Sequence, residues 1–119
     1  MNRVEFGKYG EQIVADFLVK NRCEIVERNF YTRYGEIDII ATNSKYILFV
    51  EVKTRRENAI IRPSESVDKT KQKKMTITAE IYLAKIKNKT LQPRFDIAEL
   101  IVNHNTLEVQ SFNYIKNAF

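Results

Sequence analysis

Between residues 4 and 20 the apolar side chains fall at Phe6, Tyr9, Ile13, Val14, Phe17 and Leu18. Spacing of three and four residues predicts a helix with one buried stripe. Gly7 and Gly10 lie on or beside that stripe, and each costs a helix about 1 kcal/mol relative to alanine. Close packing on another element is therefore expected at both. Asn21 can take the left-handed conformation that ends a helix.

The period then shortens to two. Cys23–Phe30, with Ile25, Val26 and Phe30, is expected to be a strand, and Tyr31-Thr32-Arg33-Tyr34-Gly35 a polar-aromatic loop. Glu36–Thr42 and Tyr46–Thr54 are expected strands joined as a hairpin through Asn43-Ser44-Lys45. Arg55–Ser66, which contains Pro63, is expected to be a charged, mobile connection. Asp68–Lys87 predicts a second helix with Met75, Thr78, Ala79, Tyr82 and Ile86 on one face. Arg94–Asn103 and Thr106–Phe112 are expected to pair around His104-Asn105, with residues 113–119 as a short terminal helix. The order α-β-β-β-α-β-β predicts an α/β fold of mixed α+β type, with a mixed sheet.

Composition narrows the class. A chain of 119 residues is expected to be one domain, 1–119, and 44% apolar with 29% charged residues is ordinary for a globular protein. The single cysteine, Cys23, excludes an internal disulfide and fits a reducing compartment. Met1-Asn2-Arg3-Val4-Glu5 lacks the apolar core of a signal peptide, and no apolar run approaches the ~18 residues of a membrane span. A cytoplasmic location without membrane association is expected. The net charge of +5 is compatible with a polyanionic partner. No Gly-rich phosphate loop is present, which argues against nucleotide-cofactor chemistry. One Cys and one His do not make a zinc site. His104 is expected in a surface turn, and Cys23 as a small buried apolar residue.

The chemistry concentrates in the hairpin. Tyr46, Leu48, Val50 and Val52 share one face of their strand, and Ile37, Ile39 and Ala41 one face of theirs. If both sets enter the same core, opposed residues must sum to an odd number, as in 38 with 49 or 38 with 51. Glu36, Asp38, Ile40, Ile47, Phe49, Glu51 and Lys53 then share the other face. The charged residues gather at the end of the hairpin away from its turn. Opposed Cβ atoms lie about 4.5–5.5 Å apart, so the carboxylates raise one another's pKa. A divalent cation relieves that repulsion, and hard oxygen ligands suit Mg²⁺ or Mn²⁺. The same charges also fit a solvated face whose ion pairs are worth about 0–1 kcal/mol each. Ile40, Ile47 and Phe49, continuing on that side, indicate that it is covered. Lys71 lies one helical turn before Met75 and should point toward the sheet. Taken alone, it is one member of the basic run Lys69, Lys71, Lys73 and Lys74. Glu11 sits at the edge of the first helix's stripe, and taken alone it reads as an exposed helix residue.

An acid at Asp38 followed by Glu51-Val52-Lys53 on the next strand resembles the core of the PD-(D/E)XK nucleases, which share this element order. Longer segments extend the likeness: Gly7-Lys-Tyr-Gly-Glu11 with Ala15, Arg28-Asn29, Gly35-Glu-Ile-Asp38, Phe49-Val-Glu-Val-Lys-Thr-Arg55, Lys71-Gln72, Tyr82-Leu83 and Arg94-Phe-Asp96. From Gly7 to about Asp96 the chain resembles the YraN-like family, small bacterial proteins of uncharacterised function that are similar to archaeal Holliday-junction resolvases. The resemblance implies a restriction-endonuclease-like core and a metal-dependent endonuclease acting on DNA, with branched or junction DNA as a candidate substrate. It implies Asp38 and Glu51 as metal ligands, helped by the Val52 carbonyl, with Glu11 as a further acidic ligand. Lys53 would orient or activate water, and Lys71 would contact the scissile phosphate or its neighbour. The chain departs from its relatives at Arg22, often Gly in the family. Ile37 replaces the motif proline, as this family leads one to expect.

Such chemistry needs a nucleophilic water, an in-line leaving oxygen and neutralised phosphate charge. Arg33, Arg55, Arg56, Lys69, Lys73 and Lys74 are candidates for flanking phosphates. Tyr31 and Tyr34 are candidates either for stacking on a base or for packing the loop. A nucleic-acid-binding module that keeps the fold without cutting is the alternative function. Ile77, Ile81 and Ala84, on the back of the second helix, either pack under the terminal segments or form a two-fold homodimer interface.

Overall fold

The computed structural model describes residues 1–59, 67–87 and 89–119. Helix α1 spans Arg3–Lys20. It starts at a reciprocal cap: the Asn2 side chain accepts the Glu5 N–H at 2.9 Å, and the Asn2 N–H donates to the Glu5 carboxylate at 3.2 Å. It ends at Asn21, whose carboxamide donates to the Phe17 carbonyl at 2.7 Å. The left-handed residue is the next one, Arg22, with φ 66° rather than Asn21, whose φ is −97°. That conformation explains why glycine suits the Arg22 position.

Five strands follow: β1 Glu24–Thr32, β2 Gly35–Thr42, β3 Tyr46–Arg56, β4 Gln92–Val102 and β5 Val109–Ile115, with helix α2 Lys69–Lys85 between β3 and β4. They form one sheet in the order β1-β2-β3-β4-β5, antiparallel except for the parallel β3–β4 pair that α2 connects. The expected element order therefore holds. Tyr31 and Thr32 belong to β1, since Thr32 pairs with Gly35 and only Arg33 and Tyr34 form the turn. Arg55 and Arg56 belong to β3, paired with Ile101 and Val102. Residues 60–66 of the expected connection lie outside the described residues.

The expected terminal helix does not form. Residues 113–115 continue β5, because Phe112 and Tyr114 alternate onto Phe17, with ring centroids 4.9 and 5.1 Å away. Phe119 then returns to stack on Phe95 at 4.9 Å.

One helix covers each face of the sheet. Val14, Ala15 and Leu18 of α1 pack with Ile39, Ala41, Leu48, Val50, Ala98 and Leu100. Met75 and Ala79 of α2 pack with Ile37, Ile40, Ile47, Phe49 and Ile97. Strand β3 alternates as the pattern predicts, and the β2–β3 pairs Ile39↔Val50 and Ile40↔Phe49 have the expected odd-sum register. Strand β2 does not alternate throughout, because Ile37 packs beside Ile40 under α2 instead of joining Ile39. The recorded β2–β3 ladder ends at Ile39↔Val50. On the β1 side, left-handed Asn29, φ 51°, lies between the pairs Arg28↔Ile39 and Phe30↔Ile37. Released by one neighbour and kinked against the other, β2 twists across Asp38.

Gly10 meets its expected close contact, since a Cβ there would lie 1.8 Å from the Thr54 Oγ1. Gly7 does not among the described residues, none of which lies within 4 Å of where its Cβ would be. Ile77 and Ile81 are half-buried and join neither core cluster, while Ala84 is exposed. The tail residues Ala118 and Phe119 pack on the α2-side cluster. Away from the acids, fully buried Asp96 accepts two hydrogen bonds from Arg94 at 2.9 Å, one from the Tyr114 hydroxyl at 2.6 Å and one from the Asn117 N–H at 2.9 Å. This carboxylate ties β4, β5 and the C-terminal turn together.

Candidate metal centre and nucleic-acid interface

Asp38 lies where β2 parts from β3, and its carboxylate takes over the pairing by accepting the Val52 N–H at 2.7 Å. Glu51 projects from β3 toward α2, on the side of Phe49. Its Oε1 accepts the Lys71 ammonium at 2.7 Å, with the Lys53 ammonium 3.5 Å away. Its Oε2 is buried with no hydrogen-bond partner among the described residues. Asp38 and Glu51 are 8% and 4% exposed, which makes their negative charge expensive.

The titration behaviour follows. Burial and the neighbouring Glu51 carboxylate push Asp38 from its usual 3.8 up to about 7, against the opposing effect of the Val52 N–H. Burial also raises Glu11, partly offset by Asn29 and Arg28, with Glu36 and Glu51 adding to the rise. Lys53 is held below the usual lysine range by burial and by Lys71 beside it. Burial works against the charge on Lys71 too, but Glu51, together with Lys53 and Asp38, outweighs it and the net direction is upward.

The acids border an open cleft of about 300 Å³ whose walls include Arg3, Gly7, Glu11, Glu36, Val52 and Lys53. The fold thus brings together Glu11, Asp38, Glu51, Val52 and Lys53 at one cleft, with Lys71 reaching Glu51 from α2. Among the described residues, no three His, Cys, Asp or Glu side chains enclose an ion-sized space. Two carboxylates nevertheless suit a Mg²⁺ site, because that ion keeps several waters and takes one or two protein carboxylates. The unpartnered Glu51 Oε2 and the crowded Asp38 carboxyl supply those oxygens, so the residues present fit such an ion.

The cationic candidates divide around this cleft. Arg55 lines it, and Arg55 and Arg56 continue into an adjoining cleft of about 620 Å³ that reaches His104. On the α2 side, Lys71 and Lys74 border a third cleft of about 350 Å³ with Gly35 and Glu36. Lys69 and Lys73 are exposed on α2 but line none of these clefts. Arg33 and Tyr34 form the β1–β2 turn, also outside the clefts. The Arg33 guanidinium sits 4.8 Å over the Tyr34 ring and donates to its hydroxyl at 2.6 Å. Tyr31 is 76% exposed, so it does not pack the turn.

His104 is exposed in its turn as expected, with its Nδ1 2.6 Å from Glu57. Cys23 is half-buried, and burial pushes its thiol above the usual range. Sequence reasoning missed Arg3 and Gly7 as cleft residues. A signal was present, because Arg3, Gly7 and Glu11 are spaced by four and share one helical face.

The chain is similar along its whole length to known proteins. It is 44% identical to a UPF0102 protein of Caldanaerobacter subterraneus, covering 100% of this chain and 98% of that one. A UPF0102 protein of Caldicellulosiruptor saccharolyticus is 44% identical, with 100% of both chains covered. One of Clostridium botulinum is 44% identical, over 97% of this chain and 94% of its own. A family model described as uncharacterised protein family UPF0102 matches residues 10–100. These findings bear out the resemblance to a family of uncharacterised bacterial proteins. No helix of the described residues is long and apolar enough to cross a membrane.

Proposed function

We propose that this chain, which belongs to the uncharacterised protein family UPF0102, is a metal-dependent endonuclease that hydrolyses phosphodiester bonds in DNA, with branched DNA as its candidate substrate. The observation that carries this reading is the buried Glu51 Oε2, without a hydrogen-bond partner among the described residues, beside the crowded Asp38 carboxyl. A buried acceptor left without a partner costs about 1–3 kcal/mol, and more when charged, so the arrangement calls for a cation. Asp38 and Glu51 would hold Mg²⁺ or Mn²⁺, with the Val52 carbonyl and Glu11 as candidates for completing the shell. The ion would supply Lewis acidity and neutralise charge on the phosphoryl oxygens.

The chain's own residues do the rest. Lys53, beside Glu51 and easier to deprotonate than an ordinary lysine, positions the attacking water and can exchange a proton with it. Water adds to phosphorus, one P–O bond breaks, and the leaving oxygen takes up a proton. Lys71 keeps its charge and can turn from Glu51 to the phosphate as negative charge grows there. Arg55, Arg56 and Lys74 border the clefts on either side and suit the flanking phosphates, with Arg33, Lys69 and Lys73 further out.

Incubation with linear duplex, single strands and a four-way junction, in Mg²⁺ or Mn²⁺ and in EDTA, tests the reading. Cutting should need the metal and disappear in Asp38→Ala and Lys53→Ala. Cutting that survives both substitutions would remove the site assignment. The Lys71 ammonium on Glu51 favours one second reading, in which a lysine neutralises the site permanently and the chain binds nucleic acid without cutting it. Retained binding with no cleavage and no Mg²⁺ uptake by calorimetry would support that reading.

A further inference from the structure

Among the described residues nothing accounts for the presence of Gly7. It lies in the second turn of α1, where glycine is among the least favourable residues. Gly10 is imposed by Thr54, but among the described residues a Cβ at Gly7 meets nothing within 4 Å. Nor does its backbone require glycine, since no glycine among the described residues has positive φ. Gly7 instead borders the acidic cleft, between Arg3 one turn before it and Glu11 one turn after.

That cleft does not end at the acids. Arg3, Phe6, Thr54 and Arg55 line both it and the adjoining cleft that holds Arg56 and His104. The two, about 300 and 620 Å³, form one groove from Asp38 and Glu51 past Gly7 to the end of β3. Among the described residues no carboxylate pairs with Arg3, Arg55 or Arg56. Three guanidinium groups along a groove, with no carboxylate partner among the described residues, suit phosphates, which arginine grips with two parallel hydrogen bonds. Glycine is the residue expected where a ligand's backbone comes close to the protein's own.

We propose that this groove carries one flank of a polynucleotide strand. Its sugar-phosphate backbone lies against α1 at Gly7, and Arg3 neutralises a phosphate beside the one being cut. The assignment rests on the nuclease reading and adds to it a direction for the strand, along α1 and the end of β3, together with roles for Arg3 and Gly7 that sequence reasoning did not assign. Gly7 acts here as a positioning residue through the side chain it lacks.

The test uses Gly7→Gln and Gly7→Ala in the full chain. No described residue lies within 4 Å of a Cβ at Gly7, so both should fold with thermal midpoints at or above wild type. Binding of labelled single strand, duplex and four-way junction is measured by fluorescence anisotropy with Ca²⁺ in place of Mg²⁺. Gly7→Gln should weaken binding by roughly tenfold or more, and Gly7→Ala by less, while Mg²⁺ uptake by calorimetry stays unchanged. Arg3→Ala should lower the slope of log affinity against log salt by about one. Val19→Gln, on the exposed far end of α1, should bind as wild type does.

Wild-type affinity in Gly7→Gln overturns this inference and leaves the nuclease reading standing. Lost Mg²⁺ uptake in that variant would assign Gly7 to the metal centre instead, and a lowered midpoint would show that the space is not free. An unchanged salt slope in Arg3→Ala removes Arg3. A wild-type protein that binds none of the three polynucleotides overturns the nuclease reading together with this inference.

Discussion

Asp38→Asn should stabilise the metal-free protein at pH 8. The Asn side-chain oxygen can still accept the Val52 N–H, while the charge that burial and Glu51 oppose is gone. A carboxyl moved from 3.8 to about 7 binds its proton more tightly in the folded chain than in the unfolded one. Stability therefore falls as pH rises between those values, and the full penalty is present above about 7. At ~1.4 kcal/mol per pH unit, a displacement of that size amounts to about 4 kcal/mol. By pH 5 less than half of it remains. The new buried amide returns ~1 kcal/mol or more, which leaves a net gain of about 1–3 kcal/mol at pH 8 and a smaller one at pH 5. Urea unfolding in EDTA at the two pH values measures this directly. Mg²⁺ at ~100 times its dissociation constant should then add about 2.7 kcal/mol to wild type and nothing comparable to the variant, narrowing or reversing their order. The reasoning fails if Asp38→Asn is the less stable protein in EDTA at pH 8, or if its gain is the same at both pH values.

Other consequences can be checked with single variants. Gly10→Ala drives a Cβ to 1.8 Å from Thr54 Oγ1, so it should lose about 1–3 kcal/mol in urea unfolding despite the better helix former, and Thr54→Ala should recover part of the loss. Asp96→Ala leaves half-buried Arg94 without its carboxylate and strips partners from Tyr114 and Asn117. It should cost about 3–5 kcal/mol by the same measurement, with any DNA cleavage by the folded fraction retained. Phe119→Ala removes a ring stacked 4.9 Å from Phe95 and should cost about 1–3 kcal/mol, whereas a frayed tail would show no change. Arg56→Ala should lower the salt slope of DNA binding by about one without altering Mg²⁺ uptake.

Most of the scaffold is written locally. A helix presents a face every three or four residues and a strand every two, so the stripes of α1 and α2 and the alternation of β3 can be read directly from residue order. The odd-sum register of β2 with β3 follows from the same periodicity, because a slip of one residue would turn a whole apolar face outward. Asp38, Glu51 and Lys53 were legible as a set for that reason. Where nonlocal contacts outweigh periodicity, the pattern misleads. Ile37 reverses its face because β2 loses β3 as a partner below Ile39 and meets a left-handed Asn29 on the other side. The last residues extend β5 and return to Phe95 because Phe17 offers rings to Phe112 and Tyr114.

The acids' proximity in the hairpin was foreseeable, but their burial, the Lys71 ammonium on Glu51 and the unpartnered Oε2 were not. Burial depends on how two helices close over opposite faces of one sheet. The same holds for the two glycines of α1, equivalent by propensity and separated by a single neighbour: Thr54 stands against Gly10, and no described residue stands against Gly7. Residue order sets which side chains can share a face, and only the packed chain sets which of them lose water and which are left facing open space.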